Sequence, residues 1–580
     1  MSSLLVAAID FGTTYSGLAF SFKHEFERDP TKISAKNWTG GHLVFQKGPT
    51  CALIHPDGKT LDSFGYEAES KYGELALDKH HKQWFFFKRF KMSLFGRIGI
   101  ERNILIEDAS GKKLKAQTVF ALSIKYLKDD LLEMSQKRIA DDGIRSSDIH
   151  WVLTVPAIWN DAAKQFMREA AEEAGISKER LTIALEPEAA SLFCRHLPVE
   201  KSLGRDKVSL AKFQAGKKYL VLDAGGGTID ITVHEVLRNG NLKELHKASG
   251  GAWGGTKVDA AFEAFLSEII GPRGIAKFKE DHMEDYIDMF RDFEIKKRDI
   301  APSKNAKITM RIPITLVDIA NETCDRPMKE CIAKSRYREN LVLTGDKIRM
   351  DADVMKSFFV IPLRSILDHV ETLLEEPTVT RCSAIVMVGG FSESPMLQEH
   401  IQDHFPDMKI IIPEEAGLAV LKGAVIFGHN PTTIAERVCK YTYGETSTHR
   451  TTDKCKHPKT NSKLDENGEM RCYDIFRVHA RINQSVKLGE EQKEATSSPI
   501  YDTQTKIGKE IYASSNPNPV FVTDPECSRI GKFTVPIPDT SLGKARKFGT
   551  TFLFGGTEIE VKVVDKATGE VTKRTVDFLG

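Results

Sequence analysis

The chain has 580 residues, of which 41% are hydrophobic and 28% are charged. This length predicts several folded domains, because a single hydrophobic core does not grow so large. Its 82 Lys and Arg residues nearly balance its 81 Asp and Glu residues. No basic field therefore favours nucleic acid or an anionic bilayer as a partner. The longest apolar runs have the length of strands, so we expect no membrane span.

The start of the chain and its cysteines bear on location. The first apolar run lacks a basic segment before it and leads directly into Asp10 and Gly12, which predicts a first strand and no secretory signal. The nine cysteines show no paired framework, which is typical of a reducing compartment. We therefore expect a cytoplasmic protein. Cys455, His457 and Cys472 offer three zinc ligands at irregular spacing, and this pattern favours free thiols in a loop over a metal site.

The first two-thirds of the chain alternate short β-branched runs with amphipathic stretches, the pattern of an α/β protein. Asn160 and Asp161 form an N-cap region for a helix over 162–174, and Gly175 ends that helix. Strands are predicted at residues 4–9, 150–154, 219–222 and 384–388.

The composition changes near Glu445. The stretch 446–467 is polar and turn-rich, which predicts a domain boundary there. Short alternating segments follow it, and Ile559, Val561 and Val563 share one face of such a segment. This alternation predicts an antiparallel β-domain.

One motif occurs twice. IDFGTT at residues 9–14 returns as LDAGGGT at residues 222–228, each after an apolar strand, which implies two related half-domains. Glycine turns of this kind present backbone N–H groups to a phosphate. Singly they are weak signals, since such turns join many strands. Two copies facing each other would clamp a triphosphate, with Asp10 and Asp223 near Mg²⁺ through its water shell.

Two further observations refine this interpretation. A third glycine element, VMVGGF at residues 386–391, again ends an apolar strand, and its missing side chains would let adenine or ribose approach the backbone. No G-x-x-x-x-G-K-[ST] string occurs, so a P-loop enzyme is not indicated.

In this order, the three elements resemble those of the actin, sugar-kinase and 70 kDa heat-shock superfamily. AIDFGTTYSG is similar to its first phosphate motif, YLVLDAGGGTIDITVHEV to its second and SAIVMVGGFSESP to its adenosine motif. LTVPAIWNDAAKQ and ALEPEAA resemble heat-shock chaperone segments more than actin or sugar kinases. Trp159, the WFFFKRFKM stretch and the final VDFLG resemble the 12A/12B-like branch of the heat shock protein 70 family.

The resemblance implies an α/β, actin-like (ribonuclease H-like), duplicated two-lobed ATPase domain. Lobe I would span 1–207 and lobe II, with the adenosine motif, 208–440. A β-rich domain at 441–580 would follow, since RINQSVKLG and the strands after it resemble the family's substrate-binding β-sandwich. We expect this domain to lack a helical lid, and we expect no EEVD tail for tetratricopeptide co-chaperones.

The resemblance also implies the residues of a site that binds ATP or ADP with Mg²⁺. Catalytic roles fall to Lys88, Glu186, Asp230, Asp10 and Asp223, of which Asp10 and Asp223 serve the metal through water. Phosphate-side residues are Gly12, Thr13, Thr14, Tyr15, Gly225, Gly226, Gly227, Thr228, Gly254 and Gly255. Nucleoside-side residues are Glu294, Lys297, Arg298, Gly389, Gly390 and Phe391. Pro156 matches the proline that relays nucleotide state.

Each assignment has a structural alternative. Lys88 lies in a basic run and could be an ordinary solvated charge, and Glu186 precedes a proline and could be a helix-start carboxylate. Glu294, Lys297 and Arg298 could form a solvated helix face.

The sequence also departs from the family pattern. The family's adenosine motif reads G-G-S-T-R-I-P, with an arginine that stacks on adenine, whereas Phe391, Ser392 and Glu393 follow the glycines here. Base specificity is therefore open. The leucine-rich acidic linker is replaced by residues 436–441, which leaves interdomain coupling open.

The function implied is slow, Mg²⁺-dependent ATP hydrolysis in a chaperone-like or protein-binding switch, with protein clients or partners at the β-domain. A nucleotide-binding scaffold with little hydrolysis is the first alternative. A small-molecule kinase of the same fold and an actin-like filament former are less favoured, because the β-domain has no role in the first and would hinder the second.

Overall fold

The computed structural model describes residues 3–40, 43–97, 99–137, 144–197, 214–451, 457 and 461–579. Within these ranges the chain forms two α/β lobes and a β-rich region. None of the helices in the described ranges combines the length and the apolar content that a membrane crossing requires.

The first lobe is built on the sheet that carries the first glycine motif. Its elements in chain order are β1 (Leu5–Asp10), β2 (Tyr15–Phe22), α1 (Lys23–Arg28), β3 (Ser34–Ala35), β4 (Trp38–Gly40), β5 (Leu43–Phe45), β6 (Gly48–Pro49), β7 (Cys51–Ile54), β8 (Leu61–Phe64), α2 (Tyr66–Leu77), β9 (Phe85–Lys88), β10 (Leu105–Glu107), β11 (Lys113–Lys115), α3 (Ala116–Gln136), β12 (Ile149–Val155), α4 (Asp161–Glu173), β13 (Leu181–Leu185) and α5 (Glu186–His196).

The second lobe is built on the sheet that carries the second motif. Its elements are β14 (Lys218–Ala224), β15 (Ile229–Val236), β16 (Leu242–Gly251), α6 (Thr256–Asp281), α7 (Met283–Asp299), β17 (Ile308–Arg311), α8 (Ile314–Thr323), α9 (Met328–Lys334), β18 (Leu341–Thr344), β19 (Lys347–Met350), α10 (Ala352–Ser357), α11 (Val360–Glu375), β20 (Cys382–Val388), α12 (Pro395–His404), β21 (Lys409–Ile411), α13 (Ala419–His429) and β22 (Ile434–Val438).

The rest of the chain is β-rich. Its strands are β23 (Thr442–Arg450), β24 (Ser462–Leu464), β25 (Met470–Ala480), β26 (Ser485–Lys487), β27 (Ala495–Ser497), β28 (Lys506–Ser514), β29 (Cys527–Pro536), β30 (Phe548–Gly555), β31 (Glu558–Asp565) and β32 (Val571–Thr575). They form two antiparallel sheets, in the orders β24-β25-β23-β28-β29 and β27-β30-β31-β32, apart from β26. We call this region the β-domain.

The two motif strands occupy equivalent places in their sheets. β1 pairs in parallel with β12 and antiparallel with β2, and β14 pairs in parallel with β20 and antiparallel with β15. Each motif thus forms the turn between an inner strand and its hairpin partner. This equivalence agrees with the internal repeat in the sequence.

Helices α5 and α13 lie between the two sheets and share one hydrophobic core with both. Val6 and Val152 of the first sheet and Val221 of the second belong to this core. A Cβ atom on Gly423 of α13 would lie 1.7 Å from the carbonyl oxygen of Ala189 in α5, so only glycine permits this crossing. The crossing fixes the distance between the lobes.

Several local predictions are confirmed. All four predicted strands are present. The first is shifted by one residue, and the other three are two or three residues longer than predicted. Helix α4 begins where predicted, and the Asn160 side chain accepts a hydrogen bond from Ala163 N at 2.8 Å. In β31, Ile559, Val561 and Val563 are all buried, as their alternation indicates.

The stretch 446–467, predicted to mark a domain boundary, is only partly described, because 452–456 and 458–460 lie outside the described residues. Residues 446–450 continue β23, where they pair with β25. Glu445, at the start of that stretch, is buried and accepts a hydrogen bond from Lys509 Nζ at 2.8 Å. Polar composition does not reveal that a neighbouring strand supplies the partner for a polar group such as Glu445.

The segment after α13 docks as a strand. β22 joins the second sheet, parallel to β16 and antiparallel to β26. Arg437 is buried and its Nε donates to Glu188 Oε1 at 2.8 Å. Val438 N donates to Glu244 Oε2 at 2.8 Å. Breaking a buried ion pair by removing one partner costs about 3–5 kcal/mol. This contact therefore anchors the connection between the lobes and the β-domain.

The β-domain also contacts the first lobe. Arg168 Nε of α4 lies 2.9 Å from Glu558 Oε1 of β31. Phe578 N donates to Gln165 Oε1 at 2.8 Å, and Leu579 is buried within the first lobe's core. Together with β22, these contacts hold the β-domain against both lobes.

Glu244 provides a test of the docked strand. Burial, with a further contribution from the Glu188 carboxylate, raises the pKa of Glu244 to about 8. The native state therefore retains a proton that the unfolded state loses near its ordinary pKa of about 4.3. This stabilisation is complete below that ordinary pKa and is lost as pH rises through 8. Between pH 6 and 9 we expect the wild type to lose about 3 kcal/mol more than Glu244→Gln, measured by urea unfolding.

Glu436→Gln is the matched control. Burial alone would raise the pKa of Glu436, but Ser485 and Lys243 hold it below its ordinary value. Glu436 therefore does not titrate between pH 6 and 9. Its replacement should leave the wild-type slope unchanged over this range. Equal slopes in the wild type and Glu244→Gln would contradict a protonated Glu244 at this junction.

Candidate functional site

A cleft of about 870 Å³ lies between the two lobes. This volume is in the range of small-molecule sites. Both glycine motifs and the third glycine element line it, and helix α7 lines its outer part. The cleft therefore brings together the three elements that the sequence places more than 370 residues apart along the chain, from Asp10 to Gly389.

The two phosphate loops meet at backbone distance. A Cβ atom on Gly226 would lie 2.1 Å from Thr14 Oγ1, and one on Gly227 would lie 2.6 Å from Thr13 Oγ1. Contacts this short exclude any side chain at either glycine. The hydroxyls of the first loop thus face the bare backbone of the second, as the facing-loop hypothesis requires.

Gly254 and Gly255 complete the second loop. Gly254 N donates to Gly227 O at 3.3 Å, and Gly255 N donates to Gly225 O at 3.2 Å. A Cβ atom on Gly254 would lie 2.5 Å from the Gly226 carbonyl oxygen. Helix α6 begins directly after this turn, so its N-terminal end is directed at the phosphate side of the cleft.

Asp10 ends β1 and is buried at the base of the cleft. Its Oδ2 lies 2.6 Å from Lys47 Nζ, and its Oδ1 accepts a hydrogen bond from Thr154 Oγ1 at 2.7 Å. Burial alone would raise the pKa of Asp10. The opposing effect, chiefly of the Lys47 ammonium, holds this pKa below its ordinary value. Sequence reasoning missed both residues. Lys47 belongs to no motif, and Thr154 lies in the LTVPAIWNDAAKQ segment but was assigned no role there.

Asp223, Glu186 and Asp230 form an acidic group beside Asp10. Burial, and then the neighbouring carboxylates, raises the pKa of Asp223 well above its ordinary value. Burial also raises the pKa of Glu186. Buried carboxylates that repel each other in this way form an oxygen donor set for a hard divalent cation. The residues present therefore fit Mg²⁺.

Asp230 faces the Pro156 turn. Its Oδ2 accepts hydrogen bonds from the backbone N–H groups of Ala157 and Ile158, the latter at 3.2 Å. Its Oδ1 is buried and has no hydrogen-bond partner among the residues that the structure describes. Burial raises the pKa of Asp230 to about 7. Lys440 Nζ donates to the Ile158 carbonyl oxygen on the same turn. Asp230 thus connects the second glycine motif to the segment that enters the β-domain.

The structure does not pair Lys88 with Glu186. Lys88 Nζ donates to Glu69 Oε1 at 3.0 Å, on helix α2. Glu186 Oε1 instead accepts a hydrogen bond from Lys91 Nζ at 2.6 Å. The Lys91 side chain is only 2% exposed, and its ammonium lies 5.3 Å from the centroid of the Trp159 ring.

Lys91 was not predicted from the sequence, although it lies in the same WFFFKRFKM stretch. Lys88 ends β9, and Lys91 follows in a short 3-10 turn. This turn directs the second lysine toward the acidic group. The basic run contains both lysines, and its sequence does not show which of them contacts Glu186.

On the nucleoside side, α7 contributes charged residues that are mostly paired. Lys297 is buried, and its Nζ lies 2.7 Å from Asp259 Oδ1. The Arg298 guanidinium lies 5.7 Å from the centroid of the Tyr15 ring, and its Nη1 lies 3.4 Å from Glu393 Oε2. With Glu294, these residues line the cleft. Lys297 is thus not part of a solvated helix face, whereas Arg298 is 47% exposed.

The two glycines of the third glycine element have different surroundings. Gly389 has a φ of 86°, and a Cβ atom there would lie 2.4 Å from Asp223 Oδ1. Gly390 has no atom near its Cβ position and is open to the cleft. Phe391 is buried, and its ring lies 6.3 Å from that of Phe359 in the second lobe's core. Phe391 also lines the cleft, so it packs on the core and forms part of the cleft wall.

Ion pairs join the lobes across the cleft. Arg89 Nη2 lies 2.6 Å from Asp259 Oδ2 of α6. Arg291 Nη2 of α7 lies 3.0 Å from Glu69 Oε2 of α2. Arg89 lies next to Lys88 in the WFFFKRFKM stretch. Nothing in the sequence indicated a role in the cleft for Asp259, Arg291 or Glu69. These contacts hold the outer parts of the two lobes together.

The predicted zinc candidates lie far along the chain, in the β-domain. Cys455 lies outside the described residues. Cys472 is buried in β25 and not in a loop. His457 lies near Cys472, together with His449, which the sequence did not single out.

Asp223→Asn tests the repulsion within the acidic group. Because the pKa of Asp223 is raised, its contribution to native stability is complete below its ordinary pKa and is lost as pH rises through the raised pKa. In EDTA at pH 8, without nucleotide, we expect Asp223→Asn to unfold about 2 °C or more above the wild type, measured by thermal unfolding. At pH 5 this difference should shrink.

Asp10→Asn is the matched comparison. The pKa of Asp10 is lowered, so its charge stabilises the native state through Lys47, and its loss should lower the midpoint. A fall in midpoint for Asp223→Asn at pH 8 would contradict the assigned repulsion.

Comparisons with known proteins agree with this geometry. A family model described as Hsp70 protein matches residues 98–432. Heat shock 70 kDa protein 12A of Homo sapiens is 36% identical over 631 aligned residues, which cover 100% of this chain and 92% of the relative. Heat shock 70 kDa protein 12B of Homo sapiens is 32% identical, over 99% of this chain and 91% of the relative. Chaperone protein DnaK of Thermotoga petrophila is 26% identical over 62% of this chain and 53% of the relative. The chain therefore belongs to the Hsp70 family, with a nucleotide-binding domain of that type, and within the family to the branch of heat shock 70 kDa proteins 12A and 12B.

Proposed function

We propose that the cleft binds ATP and ADP with Mg²⁺ and that slow hydrolysis there makes the protein a nucleotide-dependent switch. The observation that carries the proposal is the contact of two glycine loops beside four carboxylates, three of them buried and the fourth, Glu186, only 12% exposed. Family membership supports nucleotide and Mg²⁺ binding in general. The four carboxylates are Asp10, Glu186, Asp223 and Asp230.

The phosphates would lie between the loops, where Thr13, Thr14 and Thr228 present hydroxyls and the glycines present N–H groups. Asp10 and Asp223 would hold the metal through its water shell. A bound magnesium ion supplies positive charge against the phosphate oxygens. Asp230 would act from behind this group, by holding the Pro156 turn.

We assign the water-orienting lysine to Lys91, in place of Lys88. Its ammonium already contacts Glu186, and its burial makes that contact strong. Glu186, held in place by this contact, would orient the attacking water beside the phosphates. Lys88, held by Glu69 near the cleft mouth, would contact the nucleotide from a more exposed position.

The base pocket would be formed by Tyr15, Glu294 and Arg298, with Gly390 open beside them. The guanidinium of Arg298 lies over Tyr15, so its plane offers a stacking surface from α7. This arrangement would substitute for the arginine that the adenosine motif lacks. Glu393 would then serve to hold Arg298 rather than to contact the base.

The second candidate is a scaffold that binds nucleotide with little hydrolysis. The engagement of Lys88 by Glu69 favours it, because the residue that matches the family's catalytic lysine is directed away from Glu186. A small-molecule kinase is less favoured, since the β-domain would have no part in it. Transfer of phosphate from ATP to any member of a panel of sugars would support that candidate.

The finer architecture is also part of the proposal. We propose functional units at 1–207, 208–440 and 441–580, with the last unit binding protein clients or partners in the cytoplasm. Its contacts with α4 and β22 support coupling between the cleft and the β-domain. A labelled hydrophobic peptide, followed by stopped-flow release with and without ATP, separates client binding from a purely docking role.

Nucleotide binding is tested by calorimetry. We expect ATP and ADP to bind well only with Mg²⁺, because the acidic group repels phosphate unless a cation is present. Chelation should weaken both affinities by at least about tenfold, or about 1.4 kcal/mol. Unchanged affinity after chelation, or no binding of either nucleotide at millimolar concentration, would contradict the cleft assignment.

The two lysines are separated by Lys91→Met and Lys88→Met. We expect Lys91→Met to lower single-turnover hydrolysis by about 100-fold while ADP affinity changes only a few-fold, the pattern for a group that acts on the transition state. Lys88→Met should weaken nucleotide binding more than it slows the chemical step. The reverse pattern would restore Lys88 to the catalytic role, and no measurable wild-type turnover would favour the scaffold.

A further inference from the structure

A cluster of metal-binding side chains lies in the β-domain, outside the cleft. His449 lies near the end of β23, Cys472 lies in β25, and His457 lies in the connection from β23 to β24. One ligand atom from each residue, an imidazole nitrogen or the sulfur, lies within 4.8 Å of the other two. Residues from three separate segments therefore converge on one point.

The strands place two of the three ligands. His449 and Cys472 are register partners in the antiparallel pair of β23 and β25. The register shifts just before them, between Ser447 and His449. Asp474, within this irregular stretch, has a φ of 58°, a left-handed conformation that is uncommon for a non-glycine residue. Irregularities of this kind re-aim side chains and are frequent beside functional sites.

The chemistry of the cluster differs from that of the cleft. Cys472 is 0% exposed and packs with Ile475 and Phe521. The His457 ring centroid lies 5.2 Å from that of His449 and 5.8 Å from that of Phe521. Two imidazoles and a thiolate suit zinc, whereas Mg²⁺ prefers oxygen ligands. A dry apolar wall on one side would strengthen the bonds to a cation.

The separations are close to those of a bonded site. Zn–N bonds of about 2.0–2.1 Å and a Zn–S bond of about 2.3 Å place tetrahedral ligand atoms about 3.3–3.6 Å apart. In this structure the three ligand atoms lie within 4.8 Å of one another, which exceeds the bonded separation by only about 1 Å. His449 and His457 are only half-buried, so rotation of their rings can supply the difference.

We propose that His449, His457 and Cys472 bind a zinc ion, with its fourth position open to water or a further ligand. The ion would tie the connection between β23 and β24 to two strands of the sheet. It would therefore stabilise this side of the β-domain independently of the nucleotide in the cleft.

The test uses the full chain, stripped of metal with a chelator and then saturated with Mg²⁺ and ADP to occupy the cleft. Zinc is titrated in competition with a chromophoric chelator, and Co²⁺ is added separately to reveal thiolate ligation by its near-ultraviolet charge-transfer absorption. We expect one zinc equivalent, a thiolate–cobalt band, and a zinc-dependent rise in thermal stability.

His449→Gln and His457→Gln replace half-buried rings and should retain the fold, which circular dichroism can check. Each should weaken zinc binding by at least about 100-fold, since loss of even an outer partner costs about 10–100-fold. Cys472→Ala should remove the cobalt band. Cys527→Ser, in β29 of the same sheet, and His404→Gln are matched controls that should behave as the wild type.

Three results would overturn the proposal: no zinc binding by the wild type at micromolar concentration, a cobalt complex without the thiolate band, or wild-type zinc affinity in both histidine variants. Because the cleft is saturated throughout, these outcomes do not depend on whether the protein hydrolyses ATP.

Discussion

The close crossing of α5 and α13 sets the geometry on which the cleft depends. Gly423 lets α13 approach the backbone of α5, and the two helices share one core with both sheets. Since interiors are close-packed, a side chain at this point would have to separate the helices. The sheets would then move apart, and the loops at residues 13–14 and 226–227 would lose contact. A steric constraint far below the cleft thus determines whether the cleft forms.

The second constraint is electrostatic. Three buried carboxylates and the partly buried Glu186 lie at the base of the cleft, and two lysines, Lys47 and Lys91, offset part of their charge. Lys47 is paired with Asp10 and Lys91 with Glu186, which leaves Asp223 with the least compensation and a raised pKa. Such a group is costly to maintain and is expected where function requires it. Its oxygen atoms fit Mg²⁺, and its repulsion is the reason that phosphates should require that cation.

A chain of contacts leads from this group to the β-domain. Asp230 holds the backbone after Pro156, Lys440 contacts the same turn, and Arg437 and Val438 anchor β22 to Glu188 and Glu244. Each step is a hydrogen bond or ion pair between buried or partly buried groups, and the Arg437–Glu188 pair is fully buried, so its displacement is costly. The segment that replaces the acidic family linker therefore has its own anchoring by charge, and this arrangement supports coupling in the proposed switch.

Much of the fold was determined by the sequence alone. The strand–Asp–Gly–Thr repeat identified the two motif strands and the cleft between them, because alternation and glycine turns are local properties. Asn160 likewise identified the start of α4 through its own cap. Tertiary structure decided which charged groups meet. Lys88 and Lys91 lie in one basic run, and only the 3-10 turn between them directs Lys91 to Glu186. Phe391 is buried and Arg298 is placed over Tyr15 because of packing between α7 and the second lobe's core. His449 joins Cys472 through strand register, 23 residues apart in the chain. Long-range partners of this kind are set by packing, and no local pattern encodes them.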